Sequence, residues 1–255
     1  MKNITTQLWE TTTDLFPTRK ELRTVMGVTL LAVSISVSEI LLAHFFSLII
    51  LPSEPRDTKD LIFLGAIFLA LFSMLRLVSF AKEHYRINIF EKSLAKSSSE
   101  SQVANSWRWA TAMELTSLLT LYGRLIFISA LLFFFSPIFG ICNLVIGMGI
   151  FRILSSQLRK QFRNQYKFRE EQQAKRPVTN AEKVRTRVIS AELGSLMSSI
   201  GLIILLSVLI LLFAIESINP AKAFVLFIAV RMIGQIYSGL SSGLMRFARA
   251  RVFSE

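Results

Sequence analysis

Six apolar stretches, at 25–50, 61–81, 113–136, 138–158, 190–215 and 222–245, decide what this chain is able to become. Each is near the ~20 residues that carry an α-helix across the hydrocarbon core of a bilayer. No water is present there to pair with exposed backbone N–H and C=O groups, so spans of this kind are helices. Hydrophobic residues make up 52% of the chain and mean hydropathy is +0.51. The sequence therefore predicts an all-α integral membrane protein with six transmembrane helices. The first stretch begins near residue 25 and is too long for the apolar core of a cleavable signal, so none is expected.

The net charge of +12 is explained by topology. Residues 1–24 hold four Lys/Arg, 82–108 five, 159–187 ten and 246–255 three, together 22 of 29. The alternate loops hold only Arg56, Lys59 and Lys222. Basic residues collect on the cytoplasmic side, which places both termini in the cytoplasm and 52–60 and 216–221 outside. A bacterial inner (plasma) membrane protein with several passes is the expectation. No aromatic-interleaved basic face accompanies the charge, so no nucleic-acid partner is expected.

Residues 1–24 mix Leu8, Trp9, Leu15 and Phe16 with polar residues and a Pro17 break, which predicts an amphipathic elbow on the cytoplasmic interface, in contact with membrane lipids. Residues 25–255 then form one six-helix membrane domain. Helical spacing continues past span two through Tyr85, Ile89 and Phe90, and past span four through Leu158, Phe162 and Tyr166, so both helices extend into the cytoplasm. Spans three and five start in the cytoplasm as well, after bends near 97–106 and 176–181. Pro137 with Gly140, and Asn219 with Pro220, predict tight external turns.

Five ionised residues interrupt the spans: Glu39, Arg76, Arg124, Arg152 and Arg231. At about 1.5 Å per residue they lie roughly 16–22 Å from the outer helix ends, in one broad layer. A charge there costs roughly 2.5–3.5 kcal/mol, so each should face protein or water. Ser117, Thr120 and Arg124 share one face of span three; Asn143, Gly147, Arg152 and Ser155 are expected close to one face of span four. Arg231, Gln235, Ser238 and Ser242 share one face of span six. The expected substrate-binding set is thus Arg76, Arg124, Arg152, Arg231 and Gln235. Four arginines against one acid leave +3 per copy, which suits an anion, because guanidinium forks match carboxylate and phosphate. Glu39, read as the only deep acid, is either a proton carrier or one half of a fixed ion pair. Internal pairing of the arginines with Glu39, Glu114 or Glu192 is the competing structural account.

Six helices, small external loops, an interfacial elbow and two cytoplasmic hairpins resemble the transmembrane module of exporter-type ATP-binding-cassette transporters, over nearly the whole chain. The resemblance implies a homodimer around a central cavity, with helices exchanged between halves. In that family the sixth helix leads into a nucleotide-binding domain; no G-x-x-x-x-G-K-[ST] stretch occurs in these residues. In that respect the chain is similar to the proton-driven SbmA/BacA-type peptide transporters. The expectation is a transporter for an anionic or carboxylate-bearing small molecule or peptide, without its own ATPase. The alternatives are an exporter subunit whose ATPase is a separate chain, and a non-transporting membrane scaffold.

No metal or cofactor is expected, because Cys142, His44 and His84 lie in separate segments with no ligand spacing. No serine stands in a nucleophile-elbow context, so no enzyme activity is expected. Gly239-x-x-x-Gly243 on span six suggests a close helix approach.

Overall fold

The computed structural model describes residues 4–51, 57–94, 102–174 and 179–254. These form seven α-helices, with no strand among the described residues: α1 Ile4–Leu15, α2 Arg19–Ile50, α3 Thr58–Leu94, α4 Gln102–Phe135, α5 Pro137–Gln173, α6 Asn180–Ala214 and α7 Pro220–Ser254. Helices α2 to α7 are each long and apolar enough to cross a membrane. This is a multi-pass helical membrane protein.

The helix ends follow from local chemistry. Pro17 stops the elbow, and Thr18 is extended, with its hydroxyl donating to the Glu21 carboxylate at 2.7 Å. Helix α2 therefore starts at Arg19, several residues before its apolar span. Pro137 and Pro220 each take the first position of a helix, where a missing N–H costs nothing. Ser136 Oγ accepts the Phe139 N–H at 3.4 Å and Asn219 Oδ1 accepts the Lys222 N–H at 2.9 Å, so both prolines follow a capping side chain. Gly140 corrects one expectation: it lies inside α5, and its missing Cβ leaves room for the Phe133 ring of α4. Helix α6 ends with Glu216 at φ 54°, bonded back to Phe213 O, while Ser217 N–H reaches Leu212 O. That is a Schellman ending with glutamate where glycine is usual.

The extensions expected past spans two and four are helical, α3 to Leu94 and α5 to Gln173. The bends fall partly outside the described residues; of 97–106, Gln102 onward is already helix.

Helix α7 is the centre of the bundle, packed on α4, α6, α5 and α2. Half of its apolar window is buried, against none of α3, which leans mainly on α2. Lipid tails are as apolar as leucine, so close approach and interhelical hydrogen bonds supply the packing energy. Gly239 and Gly243 receive Leu121 and Leu118 of α4; a Cβ on them would stand 3.2 and 3.0 Å from those side chains. Against α6, the Ser241 hydroxyl donates to Ala191 O at 2.9 Å over Gly194, and Ser198 donates to Gly234 O at 3.3 Å.

The C-terminal end of α7 is tied on three sides. Arg246 pairs with Glu114 of α4 at 2.7 Å and Arg251 with Asp14 of α1 at 2.9 Å. Arg169 of α5 donates to the Val252 carbonyl at 2.8 Å, satisfying one of the acceptors a helix C-terminus leaves open. The Trp107 ring stacks on Phe253 and lies under the Arg249 guanidinium. Elbow α1 buries Leu8, Thr12 and Phe16 while Trp9 stays half exposed.

Candidate functional site: a charged cleft between α2 and α3

On α3 the residues Phe72, Arg76, Ser79, Glu83 and Arg86 recur at i, i+4, i+7, i+11 and i+14, so they form one stripe. On α2 the facing stripe is Thr29, Ala32, Glu39, Ala43 and Phe46. Two cavities lie along this seam. The outer, about 280 Å³, is walled by Glu39 and Phe46 of α2, Phe68, Phe72 and Arg76 of α3, and Phe224 and Ile228 of α7. The inner, about 130 Å³, brings Thr29 of α2 and Lys82, Glu83 and Arg86 of α3 against Ser117, Thr120 and Arg124 of α4.

The charges in the two cavities are arranged differently. In the inner one Glu83 holds Lys82 and Arg86, each at 2.8 Å. Arg124 is attracted by Glu39 on one side and Glu83 on the other and closes an ion pair with neither; its Nε is buried without a hydrogen-bond partner among the described residues. In the outer cavity Glu39 and Arg76 share the lining without closing an ion pair on each other. The Arg76 guanidinium lies 5.2 Å from the centre of the Phe72 ring, a contact that spends its flat face and leaves its N–H edges clear. Phe46 stands 5.2 Å from Phe68 and 6.4 Å from Phe224, and Phe68 stacks on Phe72 at 6.4 Å. Four aromatic rings thus share the wall of an open cleft with one cation and one anion, both exposed.

Helix α7 carries the cleft onward. Phe224 and Ile228 lie on the same helix face as Arg231, Gln235, Ser238 and Ser242. That face is the one α7 turns away from its own bundle: Arg231 and Gln235 are exposed, while Val230, Ile233 and Leu240 are buried.

The expected site residues therefore divide. Glu39 and Arg76 share a cavity, Arg124 joins the adjoining one with Ser117 and Thr120 as its spacing implied, and Arg231 and Gln235 continue the outer cavity along α7. Arg152 does not join them. It is nine residues from Asn143, two and a half turns at 3.6 residues per turn, so the two lie on opposite sides of α5. Asn143 points inward and donates to Ser129 of α4 at 2.9 Å, Gly147 lies under the Tyr237 hydroxyl, and Arg152 is exposed.

A second acid joins Glu39 along the cleft. Glu83 lines the same cleft, because α3 runs straight past residue 81 where the apolar count ends. The Arg76–Ser79–Glu83–Arg86 spacing carried that signal. Glu114, a candidate partner for the deep arginines, is bound instead to Arg246.

Comparison with known families and with curated proteins returns no match: no family model fits the chain, and no curated protein is similar to it.

Proposed function

We propose that this chain is one half of a homodimeric transporter of exporter-type architecture, which moves a small carboxylate-bearing solute across a bacterial inner membrane with both termini in the cytoplasm. The observation that carries this reading is the state of the charges inside the spans. Glu39, Arg76, Arg124, Arg152 and Arg231 close no ion pair among the described residues, and two of them line a cavity of about 280 Å³. At roughly 2.5–3.5 kcal/mol each, unpaired charges facing lipid would be expensive, so water, solute or a second copy must meet them.

The sign of the cleft selects the solute. Arg76, Lys82, Arg86 and Arg124 stand against Glu39 and Glu83, leaving the two cavities net positive. Fixed guanidinium groups in a site of low dielectric favour a carboxylate or another anion. The polar face of α7 supports the dimer, since Arg231 and Gln235 look away from their own bundle. A second copy facing it would enclose a shared polar path. A scaffold whose arginines are merely paired off is disfavoured by the same observation, because among the described residues Glu83 pairs with its neighbours on α3, Glu171 with Lys167, Glu114 with Arg246 and Asp14 with Arg251, and none of these pairs takes up an arginine of the layer. Arg124, unpaired in the inner cavity beside Glu83 and buried at Nε without a hydrogen-bond partner among the described residues, is the element to test for coupling.

The test is uptake of a panel of labelled carboxylates into liposomes carrying the purified chain, with and without a pH gradient. Arg124→Ala is expected to abolish gradient-driven uptake while insertion and dimerisation persist. Undiminished uptake by that variant, or uptake indifferent to the gradient and strictly dependent on a co-purified ATPase, would overturn the reading.

A further inference from the structure

The outer cavity holds opposite charges rather than cations alone, and this narrows the solute. We propose that it is a clamp for a zwitterion with an apolar side chain, an aromatic amino acid in free form. The proposal rests on the transporter reading and sharpens its substrate class. Glu39 receives the α-ammonium, the N–H edges of Arg76 receive the α-carboxylate, and the side chain lies among Phe46, Phe68, Phe72 and Phe224.

Each part follows from the geometry. A cavity evolved for a simple anion gains nothing from an unpaired carboxylate in its wall, which would repel the cargo. A zwitterion turns the same carboxylate into a partner. Because Glu39 and Arg76 do not neutralise one another, both remain available, and a ligand carrying both charges satisfies both at once. The ring contacts of this wall are tilted, at 5.2 and 6.4 Å, within the range of roughly 4.5–7 Å at which a further aromatic ring joins favourably. The volume sets the size: about 280 Å³ is at the lower end of ligand pockets, which run from roughly 300 to 1,000 Å³. That suits one amino acid and is small for a peptide.

A phospholipid headgroup carries the same ammonium and anion chemistry. Depth argues against a headgroup of the leaflet at the Ile50 and Thr58 ends, because Glu39 lies about 16 Å along α2 from Ile50, and Arg76 about 27 Å along α3 from Thr58, at ~1.5 Å per residue. A headgroup of the opposite leaflet has the shorter path, and the phosphatidylethanolamine arm of the test addresses it.

The test is equilibrium binding to the full chain in phosphatidylcholine nanodiscs. The probes are L-phenylalanine, 3-phenylpropanoate (no ammonium), 2-phenylethylamine (no carboxylate) and glycine (no ring). Phenylalanine is expected to bind tightest. Loss of either charged contact should weaken binding by about 10- to 100-fold, the usual range for a hydrogen bond to a charged group, and loss of the ring by a similar factor. Glu39→Gln should weaken phenylalanine and strengthen 3-phenylpropanoate, which the Glu39 carboxylate repels in the native chain, so that the two converge. Equal binding of phenylalanine and 3-phenylpropanoate by the native chain overturns the clamp and leaves carboxylate transport standing. Displacement of phenylalanine when phosphatidylethanolamine replaces phosphatidylcholine also overturns it, by assigning the clamp to lipid. If no carboxylate binds and none is taken up, the transporter reading falls with it.

Discussion

The packing of α6 on α7 fixes which way the polar face of α7 points, and Gly194 is where that packing is most sensitive. A Cβ at Gly194 would collide with the Ser241 hydroxyl, stand 2.8 Å from Ser241 Cβ and 3.0 Å from Leu154 Cδ2. Gly194→Ala must therefore displace the Ser241 hydroxyl from its bond to Ala191 O, worth about 0.6 kcal/mol for an interhelical pair in a bilayer. Overpacking adds about 1–3 kcal/mol, and the better helix propensity of alanine returns about 1 kcal/mol. The expected net cost is about 1–2 kcal/mol. In a Ser241→Gly background both collisions with residue 241 vanish and only Leu154 is left to yield, so the same substitution should be neutral or stabilising by up to about 1 kcal/mol. The coupling between the two sites is then about 2 kcal/mol. Reversible unfolding of the full chain in mixed micelles, titrated with denaturing detergent, measures all four corners of this cycle. Additive effects, or a Gly194→Ala variant within about 0.5 kcal/mol of the native chain, would show that α6 does not meet α7 in this register. The orientation assigned to Arg231 and Gln235 would then lose its footing.

Two further outcomes are accessible to the same unfolding assay. Glu216 holds a left-handed conformation that costs an L-residue roughly 1–2 kcal/mol, so Glu216→Gly should stabilise the chain by about 0.5–1 kcal/mol after the entropy cost of glycine; a loss of stability would contradict the Schellman ending. The Glu114–Arg246 pair is half open to solvent on the arginine side, so reversing either charge alone should cost no more than about 1 kcal/mol, and the double reversal Glu114→Arg with Arg246→Glu should restore it.

Much of this architecture is legible in the chain because a bilayer imposes severe rules. Apolar length placed six helices, and continued spacing through Leu158, Phe162 and Tyr166 placed the extension of α5, because lipid and water leave a helix few alternatives. The Arg231–Gln235–Ser238 and Ser117–Thr120–Arg124 stripes survive intact, since each spans about a sixth of a turn and any straight helix preserves it. The expected common face of Asn143 and Arg152 is lost to the same arithmetic, because a residue nine places from Asn143 belongs to the opposite side. Glu83 was missed for a different reason: hydropathy marks where apolar residues stop, whereas a cavity between two helices continues for as long as both helices do. Which arginine meets which acid is a property of helix rotation and tilt, and no spacing within one helix contains it. The pairing of Glu114 with Arg246 joins residues 132 positions apart, beyond the reach of any local pattern.

The central place of α7 has a consequence for how the protein is made. Synthesis delivers the chain from its N-terminus, and transmembrane helices enter the bilayer as separately stable rods before they pack. The helix that most of the others lean on is therefore the last of the six to arrive. Until it does, Leu118 and Leu121 have no glycines to enter, and Asp14, Glu114 and Arg169 wait without their ties. Until the 35 residues of α7 are in place the other spans lack the helix that most of them pack on, and the bundle then closes around it. Defects on α7 thus act after membrane insertion has already succeeded. They yield a full-length, correctly threaded chain that is unpacked, and such a chain meets quality control inside the membrane rather than at the ribosome.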